Sequence, residues 1–215
     1  MTSTAETTTP GARGNGRGHR TQAERTEQTT NALLEATISC LVELGYARTS
    51  VNEICKRAGV SRGAQQHHFT TKAELMAKAI EHLATKLSER FTEQLAAAPE
   101  KTDKVETGIE LLWQAYAGEL SAAALELWVA GRTDPELRAA MRPVDKALGR
   151  TSMRAFAAVS GIEVEANRAQ TLFWMTVNLT RGLALDAEIG GDRTRRHAQL
   201  ELWKELVSDS LKKSD

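Results

Sequence analysis

Cysteine is scarce in this chain, and net charge is missing altogether. Its two cysteines, Cys40 and Cys55, lie outside any metal-ligand spacing and on helical segments, so they read as small reduced core residues. A redox switch is the lesser reading. Lys plus Arg equals Asp plus Glu, at 28 each, which excludes the overall basic excess that announces nucleic-acid binding. Any DNA-binding surface must therefore be local. Residues Met1 to Gly18 are rich in Thr, Gly and Ala and lack the apolar stretch of roughly 7–15 residues that a secretory signal needs. No apolar run approaches the roughly 18 residues needed to span a bilayer; even Thr171 to Leu185 is interrupted by Asn178 and Arg181. A soluble, cytoplasmic protein with no membrane partner is the expectation. Also missing are a P-loop, a dinucleotide glycine fingerprint after a strand, a nucleophile elbow and a helical HExxH, so neither catalysis nor a cofactor is expected. No run alternates apolar and polar residues convincingly, and the fold class is all-α.

What is present is helical punctuation. Residues 1–21 form a basic arm, with Arg13, Arg17 and Arg20 among glycines and no acid between Pro10 and Ala23; such a segment cannot bury enough apolar surface to fold alone. From Gln22, helical patterning places Leu34, Ile38, Leu41 and Gly45 on one stripe, and Gly45 supplies the stop. Thr49 or Ser50 caps a short second helix, with Glu53 in capping-box position after Ser50 and with Val51, Ile54 and Ala58 facing the core. Gly59 ends it with a residue able to take positive φ, and Ser61 caps the next helix after a tight turn. Helix, short turn, helix is the pattern of a helix-turn-helix. A fourth helix runs from near Thr71 to about Leu95, before the proline at 99. Further helices are predicted at about 103–117, 120–131, 134–160, 163–188 and 192–212. Asp134-Pro135-Glu136 opens one of them, Pro143 is predicted to kink or interrupt it, and Gly190-Gly191-Asp192 separates the last two. The resulting division is an arm at 1–21, a helix-turn-helix domain at 22–70, a linking helix at 71–98 and a larger helical domain at 99–215.

Residues 44–75, LGYARTSVNEICKRAGVSRGAQQHHFTTKAEL, resemble the DNA-binding domain of the TetR family of transcriptional regulators. The resemblance is carried by Gly45-Tyr46, Thr49/Ser50, Ile54, Ala58-Gly59-Val60-Ser61, Gly63, His67-His68-Phe69 and Lys72 with Glu74-Leu75. It is detailed over roughly 25–85. Beyond that it continues in the helical layout and in pieces such as Thr133-Asp134-Pro135-Glu136-Leu137 and Arg181-Gly182-Leu183. One departure stands in the recognition helix, where the family often has Leu then Tyr and this chain has Gln65 and Gln66. Gln65 is expected at a partly solvated edge.

In such a domain the helix beginning at Ser61 enters the major groove of double-stranded operator DNA with its N-terminal residues nearest the bases. Arg62 is the first choice for base readout, because arginine bonds guanine O6 and N7 bidentately. Gly63 and Ala64 allow close approach, and Ala64 suits a thymine methyl. Gln66 is the second proposed reader, through a bidentate amide on adenine or as a phosphate partner. Thr49, Ser50, His67, His68 and Lys72 look like phosphate contacts. Arg48, Lys56 and Arg57 read as a solvated helix face, and Phe69 as core. The histidine pair lacks a carboxylate or thiol at metal-site spacing, so no metal is expected. Two readings of the arm stay open, a disordered solubility tail, which is favoured, and insertion into the adjacent minor groove.

All four tryptophans follow the DNA-binding part. The resemblance places Trp113, Tyr116, Trp128, Met153, Phe156, Trp174 and Met175 around a central pocket for a hydrophobic or amphipathic small-molecule effector, although core packing is the commoner role for any one of them. The helix at 163–188 is apolar nearly all round over Leu172 to Leu185, which implies burial on one side against its own domain and on the other against a second subunit. The stripe Leu200, Trp203, Leu206, Val207 and Leu211 of the last helix completes a four-helix homodimer interface. Asn178 and Arg181 are candidate hydrogen-bond partners for a ligand, although the polar rim of that interface fits them better. The resemblance further implies a repressor whose ligand shifts the helix over roughly 72–95 and releases DNA. The alternative is a helical protein-interaction module that retains a degenerate helix-turn-helix, a reading to which Gln65-Gln66 lends support.

Overall fold

In the computed structural model, residues 21–96, 103–160 and 167–212 are described. They form nine helices and no strand: α1 (Gln22–Arg48), α2 (Val51–Ala58), α3 (Arg62–His68), α4 (Lys72–Ala96), α5 (Lys104–Tyr116), α6 (Glu119–Ala130), α7 (Pro135–Ser160), α8 (Asn167–Glu188) and α9 (Arg193–Lys212). The basic arm with Arg13, Arg17 and Arg20 lies outside the described residues. Among those described, no helix is long and apolar enough to cross a membrane.

Local chemistry sets most boundaries. Thr21 and Glu24 form a reciprocal capping box at the start of α1, with the Thr21 hydroxyl accepting from Glu24 N–H at 3.2 Å. Gly45 takes φ 71° and breaks the α1 ladder, so the helix proper stops there and one further turn carries Tyr46 to Arg48. Ser50 caps α2 by accepting from Glu53 N–H at 3.1 Å. Gly59 ends α2 in the left-handed region, φ 65°, and the N–H groups of Gly59 and Val60 return to the carbonyls of Lys56 and Cys55, the paired closure of a Schellman cap. Asp134 caps α7 by accepting from Leu137 N–H at 2.9 Å.

Pro143 does not interrupt α7, which continues from Pro135 to Ser160. Both Pro143 and Ala139, whose carbonyl loses its helical partner to the missing N–H, are exposed, so water can satisfy that carbonyl.

Two apolar cores organise the helices. The first runs from the N-terminal helices into the larger part of the molecule without a break: Leu33, Leu41, Ile54 and Phe69 pack with Leu75, Met76 and Ile80 of α4, Leu127 of α6, and Leu137 and Met141 of α7. The second gathers Ile109 and Tyr116 of α5, Phe156 of α7, Phe173 and Val177 of α8, and Leu200 and Val207 of α9. Each large side chain fully withdrawn from water contributes about 1.5–3 kcal/mol. Cys40 and Cys55 are free thiols inside the N-terminal packing.

Candidate nucleic-acid interface and adjoining cavity

The short helix α3 has a buried side and an outward side. Ser61 caps it by accepting from Ala64 N–H at 3.2 Å, which leaves the first-turn backbone donors of Arg62 and Gly63 without an intrahelical partner. Arg62, Gly63, Gln66 and His67 are exposed together with Ser61, while Ala64 and His68 are half-buried. No acid sits in the first turn of α3. The face is thus a short polar ridge with one guanidinium, one amide and one imidazole, on a helix thin enough at Gly63 and Ala64 for backbone to approach a groove.

What holds that ridge in place is polar as well as apolar. Gln65, expected at a solvated edge, is instead 3% exposed. Its Nε2 donates to the carbonyl of Phe69 at 3.0 Å, so burial of the amide is offset by a hydrogen bond. His68 Nδ1 meets the Thr30 hydroxyl at 2.9 Å, tying the end of α3 to α1. Arg57 is spent on Glu43 and Glu53, at 2.8 and 3.1 Å, and clamps α2 to α1.

Besides His68, two of the residues marked for phosphate contact are engaged elsewhere. Thr49 is 1% exposed, and its hydroxyl donates to the carbonyls of Gly45 and Cys40 at 2.7 and 3.1 Å; it locks the corner between α1 and α2. Ser50, next to it, is the exposed one. Lys72 folds its ammonium over the Tyr46 ring, 4.1 Å from the centroid, and burial lowers its pKa from the ordinary lysine value.

Tyr46 is the hub of the junction between the two parts. Its N–H donates to Glu126 Oε2 of α6 at 2.7 Å, and its hydroxyl donates to Asp134 Oδ2, at the head of α7, at 2.8 Å. Burial first, and then the Asp134 carboxylate, push the phenol up to about 12. The Leu137 N–H, followed by this phenol, holds Asp134 below the usual carboxylate range. A side chain at Gly45 would meet Glu126 Oε2 at 2.9 Å and push aside the carboxylate that accepts from Tyr46 N–H, while the positive φ there independently favours glycine.

Where the two cores meet lies a cavity. Its wall draws Ala84 and Leu87 from α4, Leu112 and Tyr116 from α5, Trp128 from α6, Leu148 from α7 and Arg181 from α8. It is small, about 70 Å³, and mostly apolar. Of the residues proposed from sequence to line a pocket, Tyr116 and Trp128 are in this wall. Phe156 is buried in the second core, with Met153 packed against that core. Trp113 borders a different crevice, beside Ala117 and Arg193. Trp174 and Met175 are 39% and 48% exposed, and Asn178 is exposed on the same outer side of α8. Arg181, offered from sequence as a ligand partner second to the interface rim, lines the cavity, as do Thr151 and Ser152, which were not proposed; only their orientation on packed helices distinguishes these two from neighbours of the same type.

Residues 33–79 match the family model for bacterial regulatory proteins of the tetR family. An uncharacterised HTH-type transcriptional regulator of Mycobacterium bovis is 39% identical over 125 residues, which cover 58% of this chain and 64% of that relative's length. The HTH-type transcriptional regulator CymR of Pseudomonas putida is 31% identical over 191 residues, covering 86% of this chain and 94% of the relative. Among solved structures, a transcriptional regulator from Rhodococcus sp. Rha1 superposes with a TM-score of 0.62 at 27% identity, over 84% of this chain and 96% of that one. These relatives are named regulators, not enzymes. With its helix-turn-helix on α2 and α3 and a near full-length relative above 30% identity, the chain belongs to the TetR family of transcriptional regulators.

Proposed function

We propose that this chain is a cytoplasmic homodimeric repressor that grips operator DNA through α3 and lets go when a small hydrophobic or amphipathic effector enters the cavity at the seam of the two cores. The carrying observation is that α4 serves both ends: its first turns pack in the same core as α2 and Phe69, and its Ala84 and Leu87 form part of the cavity wall. A cavity of about 70 Å³ admits a ligand only if its walls move, and α4 is one of those walls. The ligand then favours the conformation that does not fit DNA, with a coupling typically of about 1–3 kcal/mol.

On the DNA side, Arg62 and Gln66 are the base readers, with Gly63 and Ala64 giving close approach. Ser50, Ser61, His67 and His68 serve the phosphates, joined by Lys72 once it leaves Tyr46. The hydrogen bond of Gln65 to Phe69 weakens the case for a degenerate helix-turn-helix, because the unusual glutamine is accommodated inside the domain. For dimerisation, the α9 stripe expected at the seam instead packs largely within the chain, Leu200 and Val207 in the second core with Trp203 and Leu211 against it; the outer sides of α8 and α9 present Trp174, Met175, Leu185, Leu202 and Leu206, each 39–56% exposed, an apolar surface of the kind two such helix pairs cover mutually. A two-fold dimer would set its recognition helices about 34 Å apart, one DNA turn. The test is selection of duplex sites from a random library by the full-length protein, followed by anisotropy titrations at several salt concentrations. A pseudo-palindromic site bound with salt-dependent, sequence-dependent affinity is expected. Equal binding to scrambled duplex overturns the reading.

A further inference from the structure

Arg181 is the one cationic side chain in the cavity wall among the described residues. Its guanidinium carbon stands 4.1 Å from the ring centroid of Trp128 and 5.4 Å from that of Tyr116. Contact with two aromatic rings holds the guanidinium in place by cation–π attraction, and its N–H donors still require acceptors. Those donors are poorly used. Nη2 reaches Asp145 Oδ1 at 3.5 Å, and Asp145 is itself 45% exposed, a longer contact than the roughly 2.7–2.9 Å of a charge-assisted bond. Nε is sealed from solvent and has no hydrogen-bond partner. A buried N–H without an acceptor is destabilising, and a guanidinium cannot relieve the deficit by losing its charge.

Resting on the effector reading above, we infer that the effector is an amphiphilic carboxylate, whose oxygens reach the unaccepted Nε edge of Arg181 once the cavity walls part and whose apolar tail lies among Leu87, Leu112 and Leu148. Nε together with one terminal N–H makes the side-on fork that receives both carboxylate oxygens, and Asp145, loosely held, is displaced into solvent. Thr151 and Ser152 lie in the same wall, and side-chain hydroxyls suit an anionic head group as donors. A cationic ligand is disfavoured twice over: Arg181 repels it, and the guanidinium already occupies the ring faces of Trp128 and Tyr116 that would bind it. A neutral ligand leaves Nε without charge-matched acceptance.

The test uses the full-length protein and straight-chain carboxylates from butanoate to dodecanoate, each beside its primary amide. Binding is followed by tryptophan fluorescence and thermal shift, and operator release by anisotropy. At least one acid is expected to bind about tenfold or more tighter than its amide. Arg181→Met should erase that preference while leaving the amide within about twofold, and Arg181→Lys, which keeps the charge but loses the fork, should restore only part of it. Retained amide binding and an unchanged helical circular-dichroism spectrum show that the variants remain folded. Equal affinity for acid and amide, preference unaffected by Arg181→Met, or no binding by any acid overturns the inference. If amides bind and release operator as well as acids do, the effector reading survives while the carboxylate assignment falls. Arg181-dependent acid binding that leaves operator affinity unchanged has the opposite meaning.

Discussion

The Tyr46 hydroxyl and the Asp134 carboxylate meet at 2.8 Å, so a residue one turn before the helix-turn-helix is bonded to the cap of α7. The same carboxylate accepts from Leu137 N–H, so one side chain starts a helix of the C-terminal part and anchors the N-terminal part to it. Tyr46→Phe removes the second role and leaves the first. We expect a loss of about 0.5–1.5 kcal/mol in stability and a weaker response of operator affinity to effector, measured by thermal unfolding and by anisotropy with and without ligand.

The same pair gives an alkaline signature. An unfolded tyrosine ionises near about 10, whereas Tyr46 in the fold is pushed up to about 12. Its contribution to stability is therefore complete below about pH 10 and is lost as pH rises through about 12. At the acid end Asp134, held low, keeps its contribution above the unfolded carboxylate pKa and loses it as pH falls through its own lower value. Ultraviolet titration of phenolate should show a step near pH 12 that Tyr46→Phe abolishes; an unaltered titration curve in the variant refutes the assignment.

On the DNA face, Arg62→Ala should cost about 1–3 kcal/mol at one operator base pair and relax preference there. Lys72→Ala should weaken all sequences alike and reduce the salt dependence. Binding to a library of half-site variants at several salt concentrations separates the two, and identical specificity profiles would remove the distinction between reader and phosphate partner.

Gln65→Ala takes away both the donor to Phe69 and the volume of a buried side chain. A destabilisation of about 1–3 kcal/mol is expected, seen as a lower chemical-denaturation midpoint. An unaffected midpoint means the glutamine is not structurally engaged.

For the dimer, Leu202→Glu with Leu206→Glu places two charges where 56% and 53% of each leucine is exposed in the single chain. Folding should be spared and self-association lost, with operator affinity falling alongside. Sedimentation velocity reads the outcome, and a variant that still sediments as a dimer moves the interface off α9.

Much of the helical layout was legible because its signals are local. Ser50, Ser61, Asp134 and Asp192 each cap a helix through their own side chains, and Gly45 and Gly59 adopt the positive φ that their position at helix ends called for. The cavity was not legible in the same way. Tyr116 and Trp174 are both large aromatics on helices with mixed faces, yet one is 7% and the other 39% exposed, because the difference lies in how α5 and α8 are rotated against their neighbours. Gln65 misled for a related reason: a polarity scale does not contain the Phe69 carbonyl that makes burial of this amide acceptable. Between the two places that the sequence leaves open for Arg181, a ligand contact and an interface rim, the ring of Trp128 on another helix decides for the cavity wall.

The unbroken packing from Leu33 through Met76 to Leu137 has a mechanical meaning. A reading head that shares its interior with the body cannot swivel on a tether, so in the proposed dimer each half would carry its α3 as a rigid outrigger. Small rotations of the body would become large sideways travel at the tip, and a displacement near Leu87 that would be trivial in a loosely jointed molecule would then alter the span between the two heads of the proposed dimer.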